Sequence, residues 1–184
     1  VNDTKDASPV PLAAETLTLE QRVTALFEQM RTSVYRYLMV VLGSASEAED
    51  VTQEAFLRLH RYLLGGQDIL DARAWVFRVA HNLAIKYKLK GRHVISMDSD
   101  SWEDLSRLRT DSRPNPEQSL ISHEFRQRFE SALEKLSPLQ RQCLILRAEG
   151  LKYQQIAEIL NTNVSQVAQS LRRGLSRMRK GSHE

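Results

Sequence analysis

The chain has 184 residues, 41% apolar and 27% charged, with 26 Lys and Arg set against 23 Asp and Glu. That length holds one domain or two small ones, and a net charge of +3 excludes a uniformly basic coat for nucleic acid. One cysteine, Cys143, excludes an intramolecular disulfide and argues against a structural zinc site. No stretch is long and apolar enough to span a bilayer, and the residues from Val1 onward lack signal-peptide architecture, so a soluble, cytoplasmic protein is expected.

Residues 1–18 carry Pro9 and Pro11 and little apolar content, and read as a mobile tail. From Leu19 the pattern changes: Val23, Leu26, Phe27, Met30, Val34, Leu38 and Val41 recur at helical spacing until Gly43. Ser46, with Glu49 three residues on, predicts the cap of a second helix running to about Leu64 and closed by Gly65-Gly66. Its inward face is Ala48, Val51, Ala55, Leu59 and Tyr62, and its outward face is Asp50, Gln53, Glu54, Leu57 and Arg61. Leu57 is either a single exposed leucine of the ordinary kind or the centre of a docking patch with a polar rim, and spacing leaves both readings open.

A third helix is predicted from about Asp71 to Lys90, closed by Gly91. It would bury Ala72, Val76, Val79, Ala80, Leu83 and Tyr87, and show Arg78, His81, Asn82, Ile85, Lys88 and Leu89, with Trp75, Phe77 and Lys86 on the flanks. Such a mixture of basic, amide, aromatic and apolar groups suits unpaired bases, which stack on apolar surfaces while Lys and Arg hold phosphates. For Trp75 and Phe77 taken singly, packing on a neighbouring helix is the better reading. From His93 to Pro116 periodicity is lost, and the segment reads as a flexible linker, with Trp102 as a local anchor or part of a partner-binding segment.

Helices resume near residue 117. Ser137-Pro138-Leu139-Gln140 is a helix start, with Ser as N-cap, Pro at the first position and Gln at the box position, and Gly150 ends that helix. Cys143 sits in the apolar run to Leu146 and reads as a buried small hydrophobe. Then Tyr153, Ile156, Ala157 and Leu160 mark one face of a short helix. Asn161-Thr162-Asn163 breaks it, with Asn161 suited to a left-handed conformation and Asn163 to an N-cap that pairs with Gln166. Val164, Val167, Leu171, Leu175 and Met178 form the inward face of the last helix.

Two amphipathic helices joined by a three-residue turn form the motif whose second helix enters a DNA major groove. The last helix would present Ser165, Gln166, Gln169, Arg173, Ser176, Arg177 and Lys180, with Arg172 on the flank and no acid from Asn163 to Lys180. Early hydrogen-bonding side chains suit base edges and later arginines suit phosphates, with Arg173 able to serve either. Charge is sorted along the chain. Glu47, Glu49, Asp50 and Glu54 are followed by Arg73, Arg78, Lys86, Lys88, Lys90 and Arg92, then by Asp98, Asp100, Glu103 and Asp104, so several surfaces should meet different partners. No catalytic constellation is legible: Glu49 and Asp50 point about 100° apart on a helix, and the five histidines lack metal-ligand spacing. No cofactor and no metal are expected.

Residues 48–57, Ala-Glu-Asp-Val-Thr-Gln-Glu-Ala-Phe-Leu, resemble the polymerase-docking helix of bacterial sigma factors of the sigma-70 family. Residues 74–84, from Ala74 through Asn82 to Ala84, resemble the family's helix that opens the promoter −10 element. Residues 136–142 and the helix-turn-helix resemble its −35-reading domain. With only these two modules the chain is similar to the compact extracytoplasmic-function type. Several motifs in the right order are far more specific than any one of them.

The resemblance implies an all-α protein of two small helical domains joined by a flexible linker. A region 2-like domain would span residues 19–92, the linker 93–116 and a region 4-like domain 117–184. It implies docking on core RNA polymerase through Asp50, Gln53, Glu54 and Leu57. It implies −10 recognition through Arg78, Asn82, Ile85, Lys86, Lys88 and Arg92, with the loop from Gly65 to Leu70 beside Asn82. It implies −35 recognition through Ser165, Gln166, Gln169, Arg172, Arg173 and Arg177. Promoter DNA, core polymerase and an anti-sigma factor would be the partners, without membrane insertion. The chain departs from the family at Lys152, Asn161, Ala168 and Ser170, which weakens any borrowed −35 preference. The competing reading is a helix-turn-helix regulator that senses a ligand or partner through its N-terminal helices.

Overall fold

The computed structural model describes residues 18–91, 133 and 135–181. Six helices are defined among them: α1 Leu19–Leu42, α2 Ala45–Leu64, α3 Ala72–Gly91, α4 Pro138–Ala148, α5 Tyr153–Ile159 and α6 Val164–Gly181. The expected tail, the linker with Trp102 and the helix expected from residue 117 lie outside the described residues, apart from Thr18, Leu133 and the 135–137 approach to α4.

Local chemistry sets the helix ends. Thr18 caps α1 with a reciprocal Gln21 box, the two bonds measuring 3.3 and 2.8 Å, and Gly43 closes it at φ 76°. Because the chain turns at Gly43, the cap of α2 is Ser44, which accepts from Glu47 N at 3.4 Å, and the expected Ser46 lies inside the helix. Asp71 Oδ1 accepts from Ala74 N at 2.9 Å at the start of α3. Ser137 and Gln140 form the predicted box on α4, and Asn161 takes φ 49° in the turn between α5 and α6.

The first three helices form one bundle. Met30, Val34, Tyr37 and Leu38 of α1 pack with Val51, Ala55, Phe56 and Leu59 of α2 and with Val76, Phe77 and Ala80 of α3. Phe56 meets the partly buried Phe27 edge-on at 5.0 Å and Phe77 meets Tyr37 edge-on at 5.6 Å, and full burial of a phenylalanine such as Phe77 is worth about 1.5–3 kcal/mol. The last three helices form the second bundle, with Cys143, Leu146, Leu151, Ile156, Ile159, Val167 and Leu171 inside. The two bundles touch, α4 lying on α1 and α5 on α3, and their buried side chains join in one apolar cluster. Among the described residues no helix is long and apolar enough to cross a membrane.

Phe77, placed on a flank and read as packing on a neighbouring helix, does so against Tyr37 and is fully buried. Several face assignments need correction. His81, expected outside, is 8% exposed because its ring reaches the Tyr37 hydroxyl. Tyr62 and Tyr87, expected inside, lie largely at the surface, and Tyr62 leans on Trp75 with ring centroids 5.2 Å apart. Val164 and Leu175, expected inside, are 45% and 58% exposed. α6 is rolled so that Val167, Ser170, Leu171 and Gly174 face inward, because the bare backbone at Gly174 lets α4 approach. A Cβ at Gly174 would stand 3.0 Å from Leu144 Cδ1.

Candidate polymerase-docking and DNA-reading surfaces

Three faces carry the expected site residues. On α2, Asp50, Gln53 and Leu57 are exposed and Glu54 is half-buried, with Leu57 52% exposed. Burying Ala48, Val51, Ala55 and Leu59 on the opposite side of the same helix fixes this orientation. The stripe is not uniformly acidic. Arg58 Nε donates to Glu54 Oε1 at 2.7 Å and Arg61 stands 3.9 Å away, and the Arg58 hydrogen bond holds the Glu54 carboxyl below its usual range. Gln53 Nε2 donates to Glu49 Oε1 at 3.4 Å. The arrangement is an exposed apolar side chain about one turn beyond Gln53 and an internally compensated Glu54, with Asp50 a further turn back.

On α3, Arg78, Asn82, Ile85, Lys86 and Lys88 are exposed on the same helix, while Arg92 lies outside the described residues. Their outward direction follows from the burial of Val76, Phe77, Ala80 and Ala84 on the other side. Arg78 is engaged: it donates to Glu158 Oε2 of α5. Trp75 is half-buried, and its ring is tilted against that of Tyr62 at the end of α2.

In the helix-turn-helix, Ser165, Gln166, Gln169, Arg172, Arg173 and Arg177 are all exposed on α6. Asn163 Oδ1 caps it by accepting from Gln166 N at 2.8 Å, and Gln166 Oε1 accepts from the Thr162 hydroxyl at 2.6 Å. That second bond holds the Gln166 side chain over the turn. Arg177 differs from the other arginines. It donates to Lys135 O at 3.3 Å and Gln140 Oε1 at 3.2 Å, which ties the end of α6 to the entry of α4. Arg172 and Arg173 are the exposed arginines nearer the middle of the helix.

Sequence reasoning missed the residues that join the bundles. Arg73 Nη1 donates to Glu149 O at 3.2 Å and stands 3.5 Å from Glu149 Oε2, and Gln155 Nε2 donates to Asp71 Oδ2 at 2.6 Å. Nothing in the pattern marks these side chains, since each is a polar residue at a helix end or on an outer face. Among the described residues no cluster of three or more His, Cys, Asp or Glu is placed to hold a metal ion.

A helix-turn-helix with a charged, amide-rich outer face, carried beside a second helical bundle with its own basic helix, defines a two-domain DNA-binding protein. Residues 26–94 match the family model for sigma-70 region 2, and residues 126–178 match the model for sigma-70 region 4. The chain is 32% identical over 130 residues to the ECF RNA polymerase sigma-E factor of Escherichia coli K12, covering 67% of each protein. It therefore belongs to the sigma-70 family, in its ECF type. It is also 27% identical over 143 residues to the ECF sigma factor BldN of Streptomyces coelicolor, covering 75% of this chain but only 52% of BldN, so the chain spans about half of that relative's length. The fold is similar to that of the sigma factor RpoE solved with the anti-sigma factor NepR from Bartonella quintana. That match has a TM-score of 0.59 at 17% identity and covers 88% of this chain and 97% of the other.

Proposed function

We propose that this chain is a transcription initiation factor that binds core RNA polymerase and directs it to promoters by recognising −35 and −10 elements and helping to melt the −10 region. The observation that carries this reading is the presence, on one chain, of three separate solvent-facing surfaces with three chemistries. The Leu57 knob with Asp50, Gln53 and Glu54 suits a protein partner, because an apolar side chain with a polar rim is how docking surfaces are built. The α3 face with Asn82, Ile85, Lys86, Lys88 and, in the sequence, Arg92 suits an opened strand. The α6 face suits a duplex major groove, with Ser165, Gln166 and Gln169 toward bases and Arg172 and Arg173 toward phosphates. In domain terms, residues 19–92 form the polymerase- and −10-binding unit, 93–116 the connection and 117–184 the −35-reading unit. Rate acceleration in this scheme belongs to the polymerase, and the chain acts by binding, in the cytoplasm with its polymerase. An anti-sigma factor is a further partner of the proposed activity, as the solved RpoE–NepR complex exemplifies for a protein of the same fold.

The test is run-off transcription with core polymerase on a promoter library. Template-specific transcripts that require the chain support the reading. Binding to duplex DNA without any association with core polymerase would replace it with that of a helix-turn-helix regulator.

A further inference from the structure

The turn between α5 and α6 is built from interlocking contacts. Asn161 is left-handed at φ 49°, and Thr162 N donates to Ala157 O at 2.9 Å, which ends α5 and fixes the backbone of Thr162. Asn163 Oδ1 then accepts from Gln166 N at 2.8 Å and starts α6. Gln166 therefore stands at the third position of its helix, where a glutamine ordinarily turns its amide oxygen back to the N–H of the cap residue. Gln21, Gln140 and Gln155 do so at the starts of α1, α4 and α5, at 2.8, 3.1 and 2.8 Å. Gln166 uses its oxygen differently, on the Thr162 hydroxyl at 2.6 Å.

That bond sets the direction of the amide. The first turn of a helix presents unpaired N–H groups at the positive end of its dipole, so the oxygen end is drawn toward the turn. With the oxygen held there, Nε2 and its two N–H donors are the end that Gln166 directs away from the turn. The side chain is exposed, so those donors are open to a partner. An unconstrained glutamine reads adenine by donating to N7 and accepting from the N6 amino group, which takes both ends of the amide. A donor end alone fits guanine, whose N7 and O6 are both acceptors, and offers nothing to the adenine amino group.

We propose that Thr162 is a positioning residue that makes Gln166 a donor-only base reader, so that this position of the recognition helix selects guanine and discriminates against adenine. The inference rests on the reading of α6 as the −35 helix and adds which end of one side chain faces the groove. Adenine is accepted only after the amide flips and gives up the Thr162 bond. A hydrogen bond of that kind corresponds to a preference of about two-fold to twelve-fold.

The test is selection of duplex promoters, randomised across the −35 element, by the full chain bound to core polymerase. Gln166→Ala should flatten the preference at one base pair, and the wild type should select guanine there. Thr162→Val keeps the shape of the side chain and removes the hydroxyl. It should move the guanine-to-adenine ratio at that same base pair toward adenine by about two-fold to twelve-fold, with preferences elsewhere and the salt dependence unchanged. Thr162→Ala, the second variant without a hydroxyl, should shift the ratio the same way. Thr162→Ser keeps the hydroxyl and should keep the guanine preference, which separates loss of the bond from damage to the turn. Adenine at that base pair in the wild type, or an unchanged ratio in both variants without a hydroxyl, would overturn the positioning role. If Gln166→Ala changes no preference, Gln166 reads no base and the proposal falls. A shift in Gln169→Ala in the same experiment would then show that α6 still reads the −35 element.

Discussion

The Tyr37 hydroxyl and His81 Nδ1 lie 2.7 Å apart in the core between α1 and α3, and both groups are held neutral there. Burial pushes the phenol far above its ordinary range and pulls the imidazole below its own. A neutral pair in an apolar setting can share one hydrogen bond at no charge cost, and it fixes which way α3 faces. With His81 turned inward, Asn82 is turned out.

His81 makes stability depend on pH. Its folded pKa is below the unfolded value near 6.5, so the unfolded chain binds the extra proton. Stability from this group is complete above about pH 6.5 and falls as the pH drops from there toward the depressed folded pKa. Chemical denaturation at a series of pH values should show that slope in wild type and lose it in His81→Gln. Tyr37→Phe should cost about 1–3 kcal/mol by orphaning the imidazole. A variant as stable as wild type would show that the bond contributes nothing net.

Docking predictions follow from exposure. Asp50→Arg and Leu57→Glu change outward side chains, so helix content should be unchanged while association with core polymerase is lost. A pull-down with each variant reads this directly, and retained binding by both removes α2 from the interface.

Asn82→Ala should leave core binding intact and impair open-complex formation, because one bidentate base contact is worth about 1–3 kcal/mol. Permanganate footprinting on duplex and pre-melted templates separates the two roles. A defect that persists on the bubble indicates base reading, and one that vanishes indicates help with melting. Wild-type behaviour on duplex promoters excludes both.

In the recognition helix, Gln169→Ala should shift preference at one base pair of the −35 element by about 1–3 kcal/mol. Arg172→Ala should weaken all sequences alike and lower the salt slope by about one. Arg177 gives a different expectation from the other arginines, since it is bonded to Lys135 and Gln140. Arg177→Ala should lower the melting temperature as well as the affinity. Binding of the chain to a randomised −35 library at several salt concentrations, beside a thermal melt, tests all three.

Gly174→Val should cost about 1–3 kcal/mol by forcing α6 away from Leu144, more than any helix-propensity gain returns. Thermal melts of the full chain would show it, and an unchanged midpoint would mean that Leu144 can swing aside.

The all-α class, the helix order, the Ser137 and Asn163 caps, the left-handed Asn161 and the outward positions of Leu57, Asn82 and Gln169 were legible from the chain alone. Each depends on spacing or on a side chain reaching its own backbone a few residues away, and both are written locally. The positions that failed were those where a neighbour decides. His81 turns inward because Tyr37, 44 residues earlier, offers a hydrogen bond. Leu175 turns outward because Gly174 admits α4. Ser44 displaces Ser46 because Gly43 turns the chain at once. The seam joining Arg78 to Glu158 and Arg73 to Glu149 has no trace in the periodicity at all. Its charges sit on faces that a single helix would leave to solvent, and only the packing of the two bundles brings them within reach.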